Sequence, residues 1–170
     1  MNNNPILVNA LRFLGLLMLQ VLVLNEIELH GFVNPYIYPL FILLLPFETP
    51  HWLQLLLAFF LGLMVDIYAN TIGFHAAATV AMAYIRPFLM QMFRPSGGYD
   101  NKEHPVMFTM GINWTIFYVS SAVLLHHVIL FSIESWSIVN IPETLIKIVI
   151  GVILSVFIMM LYQFILVPKQ

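Results

Sequence analysis

The chain has no cysteine in 170 residues. That removes disulfides, thiol nucleophiles and cysteine metal sites together, and it leaves the redox compartment open. Charge is almost as scarce: Asp, Glu, Lys and Arg make up 8% of the sequence, against roughly 25% in soluble domains. The six Lys and Arg residues are scattered and the net charge is −2, so there is no basic patch to neutralise nucleic-acid phosphates. Polar stretches are short, and none reaches the size of a soluble domain. The motifs GxSxG and HExxH and a glycine-rich phosphate loop are all missing. An intramembrane hydrolase would have to rest on isolated groups such as Asp66 and the histidines.

Hydrophobic length is what the sequence has in quantity. Apolar residues account for 61% and the mean hydropathy is +0.94. A helix needs about 20 apolar residues to cross roughly 30 Å of hydrocarbon. Five segments meet that length, at about 6–24, 52–70, 72–93, 106–133 and 145–167, and a sixth, 36–47, is short and contains Pro39. The expected fold is all-α: one integral membrane domain over residues 1–170, with six transmembrane helices in a compact bundle. The first apolar run lacks a basic leader and a small-residue cleavage pattern, and it reads as a retained helix.

By length alone 36–47 could be re-entrant, and a five-span chain with its N-terminus outside misplaces only Arg12, but charge favours a crossing. If 36–47 crosses, with the N-terminus inside, Arg12, Arg86, Arg94, Lys102 and Lys169 share the cytoplasmic face, as the positive-inside rule asks. Both termini are then cytoplasmic. Arg12, Arg86 and Arg94 are expected to anchor that face, with Arg12 and Arg86 snorkelling to headgroups. Lys147, one turn after Glu143, is in the favourable order for a helical ion pair.

The segment 52–87 carries the most specific signals. Asp66 lies inside an apolar span, where an ionised carboxylate costs about 3 kcal/mol to insert. Small residues recur at four-residue spacing, with Ala58, Gly62, Asp66 and Asn70 on one helix and Gly73, Ala77 and Ala81 on the next. Such faces let helix backbones approach closely in lipid, either within this hairpin or against a partner's helix. Asp66 and His75 flank the turn at similar depth and form a candidate polar pair, structural or part of a proton relay or substrate site. His126 and His127 join His75 near the outer end. Adjacent helical residues point about 100° apart, which argues against a shared metal ion, so these two are expected at the interface. Asn113 and Trp114 are expected to serve interhelical hydrogen bonding and bulk.

The pattern G-x-x-x-D-x-x-x-x-x-x-G-x-x-A, formed by Gly62, Asp66, Gly73 and Ala76, resembles the bacterial rod shape-determining MreD family, and NPYIYPLFILLLP resembles its proline-led short second span. The resemblance implies a component of the cell-elongation complex in the bacterial cytoplasmic (inner) membrane, without enzymatic activity or cofactor. It also implies binding to MreC, a bitopic membrane protein, and through it to MreB filaments and peptidoglycan synthases. That family's fold is thought similar to substrate-binding subunits of energy-coupling-factor transporters. A small-molecule (vitamin) binding subunit is therefore the alternative.

Overall fold

A computed structural model describes residues 5–27, 34–71, 73–99, 104–135 and 141–167. Lys102, Lys169 and the span boundary at Ile72 lie outside the described residues. Helices α1 (Pro5–Leu22), α2 (Leu40–Leu43), α3 (His51–Ala69), α4 (Phe74–Met92), α5 (Met107–Met110), α6 (Ile112–Ser135) and α7 (Ile141–Leu166) follow one another. There is no strand among the described residues. Four helical stretches are long and apolar enough to cross a membrane: Leu7–Glu26, His51–Ala69, Ile112–Ser135 and Ile141–Leu166.

Local chemistry sets the ends of these helices. Pro5 and Pro142 lie in first turns, where no intrahelical N–H is lost. α3 stops at Asn70, which takes the left-handed conformation (φ 54°), and α4 starts after Gly73 (φ 77°). Gly111 (φ 84°) separates α5 from α6, so the expected span 106–133 divides there and its long helix begins at Ile112. The Lys147 Nζ to Glu143 Oε1 pair forms at 3.2 Å, one turn into α7.

Helix contacts run in the order α1, α3, α4, α6, α7. α4 is the innermost long helix and the most polar, burying His75, Thr79 and Arg86 along with Ala76, Ala78, Ala83, Met82 and Met90. That composition keeps it out of the apolar set. α3 turns a single face inward, made of Gln54, Ala58, Leu61, Gly62, Val65 and Asp66, which is the 3.6-residue period of a helix with one packed side.

Segment 36–47 departs most from expectation. It contains one turn of helix, Leu40–Leu43, flanked by non-helical backbone. All its hydrophobic residues from Tyr36 to Leu45 are buried, between 0% and 8% exposed. It is a core element enclosed by the longer helices. Two prolines (Pro35 and Pro39) and the run of bulky apolar residues explain this: the prolines limit helix formation, and the side chains fill the bundle on every side.

Candidate functional site

Backbone away from regular structure must find hydrogen-bond partners, and inside a membrane it is tolerated only when enclosed by protein. The residues around segment 36–45 provide those partners. Gln20 of α1 accepts from the Ile37 N–H at 2.7 Å and donates to the Pro35 carbonyl at 3.2 Å. Ser155 of α7 accepts from the Tyr36 N–H at 2.9 Å. At the other end, the carbonyls of Leu43, Leu44 and Leu45 follow the single helical turn with no helix to continue into. The Tyr118 hydroxyl donates to Leu43 at 3.2 Å, Arg12 donates to Leu44 at 3.3 Å, and Arg86 Nη2 donates to Leu45. His104 Nδ1 also lies 3.1 Å from the Leu44 carbonyl. Polar side chains from α1, α4, α6 and α7 thus converge on one buried segment.

Arg86 corrects an expectation. Snorkelling was expected, yet the guanidinium is 0% exposed, the bulkiest side chain so enclosed. Its Nε donates to the Tyr118 hydroxyl at 3.0 Å. Packing of α4 between α3 and α6 turns position 86 inward, where the Leu45 carbonyl and Tyr118 replace headgroup contacts. Arg12 is half-buried and shares this inward role, whereas Arg94, past the end of α4, is exposed.

His126 and His127 are a second correction, since both are 0% exposed and not interfacial. Their hydrogen bonds connect side chains of four elements. The Thr79 hydroxyl donates to the His75 carbonyl at 2.6 Å and also lies 3.2 Å from the Tyr38 hydroxyl, so its one proton is shared between the two. The Tyr38 hydroxyl is hydrogen-bonded to His126 Nε2 at 2.7 Å. His127 Nδ1 donates to the Val123 carbonyl at 2.9 Å, so its Nε2 accepts from Ser155 at 3.2 Å. Gly151 makes room for this ring, because a Cβ there would lie 2.7 Å from His127 Cδ2. Tyr36 stands among the three imidazoles, with ring centroids 5.3 Å from His75, 6.2 Å from His126 and 5.5 Å from His127. No group of three metal-ligating side chains forms among the described residues.

The expected Asp66–His75 pair is present, with His75 Nδ1 3.0 Å from Asp66 Oδ1. The carboxylate does more than pair. Oδ1 accepts from the Thr71 hydroxyl at 2.5 Å and the His75 amide at 3.0 Å, and Oδ2 accepts from the Ala76 amide at 2.9 Å. Asp66 therefore caps the first turn of α4 from the neighbouring helix, where otherwise unpaired N–H groups and the helix dipole favour negative charge. Gly62 completes the joint: a Cβ there would lie 2.5 Å from Ala76 Cα and 2.7 Å from the His75 oxygen, so the two backbones touch.

The small-residue face on α4 is shifted from the expected line. Ala76 is buried and packs at Gly62, but Ala77 is exposed and Ala81 only half-buried, while Ala83 is buried. The turn at Asn70 to Gly73 sets α4's rotation, and with Asp66 holding the amides of His75 and Ala76, position 76 faces α3. Ala58 is buried and Asn70 exposed. Trp114 donates to the Phe93 carbonyl at 2.8 Å, an interhelical bond as expected, while Asn113 is exposed. Outside the spans, the Tyr99 hydroxyl donates to the Met90 carbonyl at 2.7 Å, and burial raises its pKa above the ordinary 10.

Sequence reasoning passed over Gln20, Thr79 and Tyr118. Gln20, a lone amide within an apolar run, carried the clearest signal for a buried polar contact. No family model, curated protein or solved structure matches the chain.

Proposed function

We propose that the protein is a non-enzymatic membrane scaffold of the bacterial cell-elongation complex, lying in the cytoplasmic membrane and binding an MreC-like bitopic protein. The observation that carries this reading is how the intramembrane polar groups are used. The oxygens of Asp66 receive four donors. His126, His127 and Thr79 are engaged with Tyr38, Ser155 and backbone. Groups so engaged fix a rigid architecture. The Gly62, Asp66, Gly73 and Ala76 pattern becomes the joint of one hairpin, which leaves the lipid-facing rows of α1 and α7 for partner helices.

In this reading the chain makes six passages with both termini cytoplasmic. Tyr36 packs beside His75, near the start of α4, and the Leu45 carbonyl meets Arg86 eleven residues later. At 1.5 Å per residue, segment 36–45 advances about 16 Å along the bundle. The vitamin-binding alternative calls for an outward-facing pocket, typically of roughly 300–1,000 Å³. At that end the described residues enclose about 220 Å³, among Phe131, Glu134, Ser135, Glu143, Thr144 and Lys147.

Affinity purification from native membranes, with mass spectrometry of co-purifying proteins and small molecules, tests the proposal. Recovery of an MreC-like protein with wall synthases is expected. A bound vitamin with an ATPase module would replace this reading with the transport one.

A further inference from the structure

A cavity of about 410 Å³ opens at the Arg94 end of the bundle, between the start of α3 and the last turns of α4. Two of its lining residues, Arg86 and Gln54, each carry a buried polar atom with no partner, Nη1 and Oε1. Both residues are almost fully enclosed, at 0% and 3% exposure. The other two nitrogens of Arg86 are committed to Tyr118 and Leu45, so Nη1 is the one face of the cation left without an acceptor. No carboxylate pairs with Arg86 among the described residues. The orientation of the Gln54 amide is fixed, because its nitrogen donates to the Thr49 carbonyl at 2.7 Å and the reverse placement would set two oxygens together. Gln54 Oε1 therefore asks for a donor, and Arg86 Nη1 asks for an acceptor.

A buried cation without a counter-charge is costly, and each missing partner costs as an unmade hydrogen bond. A ligand that supplies an anionic oxygen and a hydroxyl within one group satisfies both atoms. Arg94 and His51, both exposed, stand on the same cavity wall and add no acid to repel it. We propose that this cavity is an anion site that takes a phosphate group bearing a hydroxyl, with the phosphoryl oxygen on Arg86 Nη1 and the hydroxyl on Gln54 Oε1. A lipid phosphodiester with a glycerol headgroup and free hydrogen phosphate share this chemistry. At the bundle end the lipid is the more abundant source.

The test uses the full chain in a non-ionic detergent, following thermal unfolding during separate titrations with phosphatidylglycerol in mixed micelles and with inorganic phosphate. A ligand that binds the folded state raises the transition in proportion to the logarithm of its concentration over Kd. A saturable rise with phosphatidylglycerol alone identifies the lipid, and a rise with inorganic phosphate identifies the free anion. In either case Arg86→Gln is expected to weaken binding by about tenfold to a hundredfold, as for a charge-assisted hydrogen bond. Because Arg86→Gln also strips Leu45 of its donor, Gln54→Leu provides a second variant, expected to weaken binding about threefold to tenfold. If Arg86→Gln does not fold, Gln54→Leu decides alone. No saturable shift with either ligand overturns the site, as does wild-type affinity in folded Gln54→Leu.

Discussion

Replacing Gly62 with alanine tests the α3–α4 joint more sharply than any change of charge. The added Cβ would sit 2.5 Å from Ala76 Cα and 2.7 Å from Ala76 N, whereas carbon contacts are optimal near 3.5–4.0 Å, so the helices must part by about 1 Å. Backbone cannot rotate aside as a side chain can. Parting also stretches the bonds from the His75 and Ala76 amides to Asp66, now 3.0 and 2.9 Å, to about 4 Å, beyond hydrogen-bond reach. Overpacking costs typically about 1–3 kcal/mol and loss of a helix cap about 1 kcal/mol more. Alanine's better helix propensity returns about 1 kcal/mol at most. The expected net loss is about 1–3 kcal/mol, a factor of roughly 5 to 150 in the unfolding equilibrium. Unfolding in mixed micelles of rising dodecyl sulfate, followed by circular dichroism, measures it. Gly15→Ala is the control, since a Cβ there meets nothing within 4 Å, and it should be neutral or slightly stabilising. Equal stability of the two variants would refute the claim that backbone contact at Gly62 joins the hairpin.

Three further outcomes follow from the same contacts. Gln20→Leu leaves the Ile37 N–H and Pro35 carbonyl unpaired in the core and should cost about 2–4 kcal/mol in the same assay; a loss below about 0.5 kcal/mol, within the range of ordinary surface substitutions, would show that the amide does not hold the segment. Asp66→Asn replaces one acceptor oxygen with a donor facing the α4 amides, so hydrogen exchange at His75 and Ala76 should quicken by about tenfold or more, and unchanged protection there would count against the cap. Gly151→Ala should displace the His127 ring and break its bond to Ser155, visible as a shifted imidazole resonance of His127; an unmoved resonance would contradict the packing.

The hairpin was legible because its constraints are local. Asp66, Thr71 and His75 lie within ten residues of one another, and glycine at position 62 has few reasons to exist in an apolar helix other than close approach. The register of Ala76 against Ala77 was not, since it depends on the turn's left-handed residues and differs by one position, about 100° of rotation. Arg86 was misread for a more general reason. Charge near the end of an apolar run fits snorkelling equally well, and only the presence of Tyr118 and the Leu45 carbonyl, 32 and 41 residues away, decides between the two. His126 and His127 are buried because segment 36–45 carries Tyr36 and Tyr38 in among them, a placement that no spacing within α6 encodes. The segment itself was expected as a short passage. Its composition gave its burial, and its lack of helix follows from partners spread over four other elements.

The central claim is that residues 36–45 form an enclosed, mostly non-helical core segment held by side chains of the surrounding helices. The natural absence of cysteine makes single-cysteine scanning of positions 36–45 its most direct test, with a lipid-soluble and a membrane-impermeant maleimide applied to the protein in native membranes. Uniform protection from both reagents across the segment is expected, with labelling at the exposed α1 positions Leu11 and Leu14 as the positive control for the lipid-soluble one. Labelling that rises every three to four residues within 36–45 would reveal a lipid-facing helix and contradict the account.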